Sequence, residues 1–504
     1  MSKPHILRAL AVLGVCLSLA ACGSAHRAST GPDGNFENIT VGVGAIPTSL
    51  DPGQNGLRQD YAIMQLVAGT LTVENNAGTG VYPGLASSVT GGGLRWVVTL
   101  RRNLRFSDGA PLTSRDVVAS FDYYLKDKSN EYAYTFTPIK AVTAHGARTV
   151  VFDLREPYPD LPVSLAYPSS TILPISRLAH ARTLFATPVP TAGPYVMTKF
   201  GHTQIVLTKN RFFVGPPHRV ERVTFNLISD PTARLSQAQG GELDFADGIN
   251  QQQAKSLPSP LHAQVALAIN GVEFLEMNNT GHGPLSDVRV RKAIALAVNR
   301  EQINEVAYGG LSKPALSFWA SDSPYSQPFL SSTPQLAEAR ALLRGTQCQH
   351  GCTIDILARA DEEDQTNVAQ VTQQDLKAIG ITTTITTVDA STESSRLAAY
   401  NYGIDPGFLF DVSDIPLGVL GFGLDPRGGA NALQSGYANP EMHKLIVAVD
   451  VSTGAQRAAA VRRVNALFER DLPYVPLVNL VIASASRVPN SVFSIEPTMY
   501  YHVG

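Results

Sequence analysis

Past residue 21 the chain holds no second long apolar run, so the remainder offers no segment able to cross a bilayer as a helix. An excess of one charge is missing too. In 504 residues, 40 Lys and Arg face 42 Asp and Glu, giving a formal net charge of −2, with both signs interspersed and no basic run. That balance argues against a nucleic-acid surface and against a polybasic membrane patch. No Gly-x-Ser-x-Gly elbow, His-Glu-x-x-His pair, Walker loop or Gly-x-Gly-x-x-Gly fingerprint occurs, and the 11 His residues are dispersed. These absences weigh against an enzyme and leave no cofactor or metal to expect. Cysteine is scarce, with four in all: Cys16, Cys22, Cys348 and Cys352.

What is present begins at the N-terminus. Lys3 and Arg8 precede an apolar stretch, Ala9–Leu19, that is too short for a spanning helix, and Met1–Ala21 reads as an export signal. It ends in Leu19-Ala20-Ala21-Cys22, which resembles a bacterial lipobox; an ordinary secretory signal is the alternative. The expectation is an exported body lipidated at Cys22, held to the outer face of the cytoplasmic membrane by a polar tether over residues 22–36. About 480 residues then exceed one hydrophobic core, and two or three domains are expected. Cys348-Gln-His-Gly-Cys352 suits a small disulfide loop in an oxidising compartment. A metal at His350 is the other reading, but it lacks a second ligand cluster.

The periodicities alternate between strand and helix. Ile39–Val43 and Leu94–Leu100 read as strands, and Thr113 caps a helix with Asp116 at the third position and Val117, Phe121 and Tyr124 as its apolar stripe. Ser286 or Asp287 opens another helix, and Thr333-Pro334 opens one closed by Gly345. Strand Thr353–Leu357, helix Thr366–Ala378 and strand Ile381–Val388 form a βαβ unit, so the fold class is α/β. The acidic run Asp361–Asp364 lies at the start of that helix, where negative charge favours the dipole.

Several segments, in order, are similar to signatures of one family. They are Ser49-Leu50-Asp51-Pro52, Trp96 through Val117 with Asp108-Gly109 and Thr113, Thr191-Ala192-Gly193-Pro194-Tyr195, and Gly241-Glu242-Leu243-Asp244. Pro284 through Ile294, Ser435 through Pro440 and Leu472 through Leu477 follow. Together the chain resembles the family 5 extracellular solute-binding lipoproteins of ABC importers, the oligopeptide, dipeptide and nickel-binding type. Most of these motifs cap or turn the chain and report the fold rather than the ligand.

The resemblance implies a two-lobed periplasmic-binding-protein fold (class II-like, cluster C) with an extra domain. Lobe I would comprise residues 37–62, 191–274 and 477–504, the extra domain 63–190, and lobe II 275–476. The crossings between lobes would lie near Glu273–Asn278 and Tyr474–Leu477. The implied function is capture of short peptides and delivery to membrane permease subunits by a monomer that does no covalent chemistry. The same role for a sugar, a nickel chelate or another small polar nutrient is the alternative. In peptide-binding members a carboxylate after a Gly-Trp pair meets the ligand ammonium. Gly407-Phe408-Leu409-Phe410-Asp411 matches that stretch, which makes Asp411 the anchor, Phe408 a stacking residue and the backbone of Gly407 and Leu409 partners for an extended peptide. Asp414 is a second candidate. Gly56, Leu57 and Arg58 would face them, Arg58 toward a ligand carboxylate, and Tyr82 would join from the extra domain.

Overall fold

The computed structural model describes residues 36–54, 57–127, 130, 132–177, 188–281, 283–360, 362–427 and 430–504. The signal segment, Cys22, the tether up to residue 35 and Gly56 lie outside the described residues. One ten-stranded mixed sheet runs through the molecule. From edge to edge its strands are Ile381–Val388, Cys352–Arg359, Ile404–Leu409, His262–Met277, Tyr474–Ser486, Phe245–Ala246, Ile39–Val43, Arg222–Leu227, Gln204–Lys209 and Tyr195–Phe200.

Local chemistry accounts for most of these elements. Thr113 and Asp116 form a reciprocal capping box on the helix Ser114–Lys126, and Asp287 caps Val288–Ala297. The βαβ unit closes with Cys352–Arg359 parallel to Ile381–Val388 through the helix Glu363–Ala378. A disulfide joins Cys348 to Cys352 at the entry to its first strand. The helix expected from Thr333-Pro334 starts later, at Leu336. Gln335 donates its N–H to Leu296 C=O (2.7 Å), which ties the chain at 333–335 to the preceding helix.

Two long antiparallel strands carry both halves. Residues 263–267 pair with 481–485, and residues 272–276 pair with 474–479. Between Leu267 and Val272 the register breaks, and there the packing changes partner. Ala266 and Ala268 belong to a core with Ile39, Phe225 and Phe493, whereas Val272 and Phe274 belong to another with Ile294, Ile356 and Phe468. The first crossing thus falls before the expected Glu273–Asn278. On the partner strand the change falls at Leu480–Ala483, after the expected Tyr474–Leu477.

The segment 63–190 has its own four-stranded sheet, Ala86–Gly92, Arg95–Leu100, Thr149–Leu154 and Ile139–His145. Its Phe121 and Phe152 nevertheless share one continuous core with Ile39 and Phe225. The boundary expected between residues 62 and 63 falls inside the helix Arg58–Val67, because that helix is buried along most of its length and joins the two sheets in a single packing unit.

Gly271 sits in the register break, where a Cβ would lie 2.4 Å from Ala268 Cβ and 2.8 Å from Leu480 Cβ. Replacing Gly271 by Val should therefore destabilise the protein by about 1–3 kcal/mol through overpacking. Urea unfolding of the variant beside the wild type checks this, and an unchanged midpoint would refute the tight approach.

Candidate functional site

Between the lobes lies a cavity of about 280 Å³. Tyr61, Tyr132 and Tyr167 wall it from the first lobe and its insert. The strand Ile404–Leu409, its continuation to Val412, and Arg359 wall it from the second lobe. The lobes touch around it. Arg457, nearly buried, holds Asp160 through one hydrogen bond (Nη1 to Oδ1, 3.0 Å) and an ion-pair contact (Nη2 to Oδ2, 2.7 Å), and Asn250 Nδ2 donates to Glu363 (2.9 Å).

The strand Ile404–Leu409 presents a sheet edge to this cavity. On one side it pairs fully with the long strand His262–Met277, but on the other it meets Cys352–Arg359 only at Ile404–Ile356. Asn278 N–H donates to Gly403 C=O (2.9 Å), and in an antiparallel ladder such pairs recur every second residue. Asp405, Gly407 and Leu409 therefore turn their backbone groups toward the long strand. Pro406, which has no N–H, and Phe408 turn theirs outward. The backbone groups open to an added strand are those of Phe408 and the Pro406 carbonyl, in place of those expected at Gly407 and Leu409. The Phe408 ring is 45% exposed.

Asp411 follows this strand and is nearly buried. It accepts the N–H of Val412 (2.6 Å) and the Tyr167 hydroxyl (3.1 Å), and the N–H groups of Ser413 and Gly418 also support it. Gly418 opens the helix Pro416–Gly423 beside it, where a Cβ would meet the carboxylate oxygen at 1.7 Å; only glycine permits this approach. Among the described residues Asp411 has no ion pair. Burial pushes its carboxyl up to about 7, against the pull of those hydrogen bonds. Glu74, at the end of the strand Thr72–Glu74, is buried with neither oxygen hydrogen-bonded among the described residues. Burial and then the like charges of Asp411 and Asp414 push it up to about 10.

A second cavity of about 260 Å³ adjoins the first, with Arg359, Gln365 and Phe408 in both walls. Leu57, Arg58 and Arg234 line it from the first lobe. Arg58 does not stand ready for a ligand carboxylate. It is buried against Asp247, which also takes the Tyr501 hydroxyl (2.6 Å).

The structure thus brings Asp411, Phe408, Gly407 and Leu409 to the first cavity and Leu57 and Arg58 to the second. Asp414 is half-buried and lines neither; its N–H donates to Gly78 C=O (2.9 Å). Tyr82 is 62% exposed on a two-stranded hairpin and lines neither cavity, because its outward register opposite Val73 points it to solvent. Sequence reasoning missed Glu74, the three tyrosines and Arg359. Their positions depend on which segments the fold brings together, and no local spacing marks them.

These features define a two-lobed protein with an inter-lobe ligand cleft. Residues 80–410 match the family described as bacterial extracellular solute-binding proteins, family 5 middle, and the chain belongs to that family. A glutathione-binding protein of Salmonella choleraesuis (strain SC-B67) is 25% identical over 402 residues, covering 75% of each chain. The dipeptide-binding protein of Pseudoalteromonas sp. SM9913, solved with Met-Leu, superposes with a TM-score of 0.81 at 16% identity over 93% of this chain and 100% of that one. The Helicobacter pylori periplasmic binding protein DppA, solved with the peptide STSA, gives 0.80 at 18% identity over 92% and 98%. The family is one of extracellular receptors, and these relatives bind solutes rather than transform them.

The two raised carboxyls set a pH dependence. Each folded-state pKa lies above its unfolded value, so each group favours the unliganded fold at low pH. That contribution is lost as pH rises through about 7 for Asp411 and about 10 for Glu74. The melting temperature of the unliganded protein should therefore fall more steeply between pH 5 and 8.5 in wild type than in Asp411→Asn. Parallel melting curves for the two proteins would contradict the assignment.

Proposed function

We propose that the protein is the substrate-binding component of an ABC importer that captures short peptides and delivers them to membrane permease subunits. The observation that carries this is Asp411, a buried carboxyl with no ion pair among the described residues, placed where an unpaired sheet edge meets a tyrosine-walled cavity. A peptide's α-ammonium supplies the missing charge, and its backbone adds to the edge at Phe408. Glu74, buried with no hydrogen-bond partner among the described residues, biases the same end toward a positive group. Tyr167 holds Asp411 from the opposite lobe, so a ligand there engages both halves as the cleft closes. Binding of glutathione and of peptides by the relatives supports the substrate class.

In this reading the protein is a monomer that performs no covalent chemistry. It is lipidated at Cys22 and sits on the outer face of the cytoplasmic membrane. The segment carrying its four-stranded sheet, residues 86–154, belongs to a family-specific insert on the first lobe, and residues 275–476 make up most of the second.

A thermal-shift screen of the body after residue 22 checks the class of ligand, with di-, tri- and longer peptides against sugars and nickel–histidine. Peptides of one length range should raise the melting temperature; a rise with sugars or the chelate alone overturns the peptide reading. In the hits, Asp411→Asn should weaken free-amine peptides roughly 10- to 100-fold, the loss of a charge-assisted contact, and N-acetylated ones little. Equal weakening of both would remove Asp411 from the ammonium role.

A further inference from the structure

We infer that the second-lobe wall of the first cavity forms a recess that takes the cationic side chain of a lysine or arginine in the bound peptide. This rests on the peptide reading above and deepens it by naming the side chain that the cleft selects.

The recess arises where two strands part. Cys352–Arg359 and Ile404–Leu409 pair only at Ile356 and Ile404, so beyond Ile404 a gap opens between them. Asp405 is the first residue past that point, and it lines the cavity. Its neighbour across the ladder is Glu276, which lines the cavity too. Directly opposed residues of an antiparallel pair put their side chains on one face, roughly 5 Å apart. Glu393, from the helix Ala390–Ala398, joins the same wall. Acids from three separate elements thus meet at one place.

Asp405 is the residue that points to a ligand. It is 3% exposed, makes no ion pair among the described residues, and its Oδ1 has no hydrogen-bond partner there. Arg359 acts on it from a distance, but that guanidinium also lies 3.5 Å from Glu362 and 3.9 Å from Glu393. Its charge is therefore divided. Burial, and then the like charges of Glu393 and Glu276, push the Asp405 carboxyl well above its ordinary range. A buried acid without a paired cation is costly to ionise, and an entering ammonium or guanidinium offsets that cost.

The rest of the lining suits a long cationic side chain. Leu397, Phe408 and Phe422 offer apolar surface to its methylene stem, and Ser394 and Gln434 supply further acceptors. A peptide anchored at Asp411 and paired with the edge at Phe408 runs back along the strand toward Asp405. Phe408 and Asp405 are three residues apart, about 10 Å at the rise of a strand, so a long side chain on the second or third ligand residue reaches the recess.

Titration calorimetry at pH 7.5 tests this with trialanine and with peptides carrying lysine or norleucine at its second or third residue. Norleucine keeps the stem and lacks the ammonium. At one of the two positions wild type should bind the lysine peptide at least roughly tenfold tighter than the norleucine one. In Asp405→Asn, which keeps the side chain's shape, that ratio should fall to within about threefold. A melting curve without peptide shows whether the variant is folded; if it is not, Glu393→Gln carries the same ratio test. Equal affinity of lysine and norleucine peptides for wild type at both positions overturns the recess and leaves the peptide reading intact. A ratio that persists in the folded variant overturns the placement at these acids. Failure of wild type to bind any of these peptides overturns the peptide reading itself.

Discussion

The pairing of two long strands, His262–Met277 with Tyr474–Ser486, is the constraint on which the rest of the structure depends. Each strand serves the first lobe over one half and the second lobe over the other, so a single hydrogen-bonded ribbon joins two hydrophobic cores. The ladder shifts register at two places, between Leu267 and Val272 and between Glu273 and Phe274, and at the first of them the side chains change cores. The bend has to be local because an intact ladder resists shear, whereas a register break leaves a few residues free to pivot. Gly271 and Ala268 keep the break small enough for the strands to remain in contact.

The cleft that this ribbon spans is electrically divided. One end holds two buried acids with no cation paired to them among the described residues, Asp411 and Glu74. The other holds two guanidiniums around one buried carboxylate. Each end alone raises the free energy of the empty, contacting lobes, because buried charge is poorly solvated. The opposing contribution comes from direct links between the lobes, chiefly the Asp160–Arg457 pair and the Tyr167–Asp411 hydrogen bond. A receptor benefits from that balance, since a ligand that brings a positive group to Asp411 favours the closed arrangement over the open one.

Much of the architecture was legible. Thr113 with Asp116, Asp287, and the strand–helix–strand order from residue 353 to 388 appear where local pattern places them, because caps and periodicity are satisfied within a few residues. The ends of elements were less legible. The helix after Pro334 begins late because Gln335 is tied to Leu296 across space, and the boundary at residue 62 vanishes because a buried helix packs against both sheets. At the cleft, the matching stretch from Gly407 to Asp411 does line a cavity, while Tyr82 faces solvent and Arg58 is held by Asp247.

The sequence by itself determined the α/β class, the succession of elements and the carboxylate-bearing loop at Asp411. Those follow from periodicity, capping chemistry and ordered motifs that act over short distances. Only the tertiary structure decided which backbone groups of the strand at Gly407 remain open, that Glu74 lies buried with no hydrogen-bond partner among the described residues, and that Asp247 acts on both Arg58 and Arg234. Those depend on strand register and on charges brought together from segments nearly 200 residues apart, and local sequence does not encode such distances.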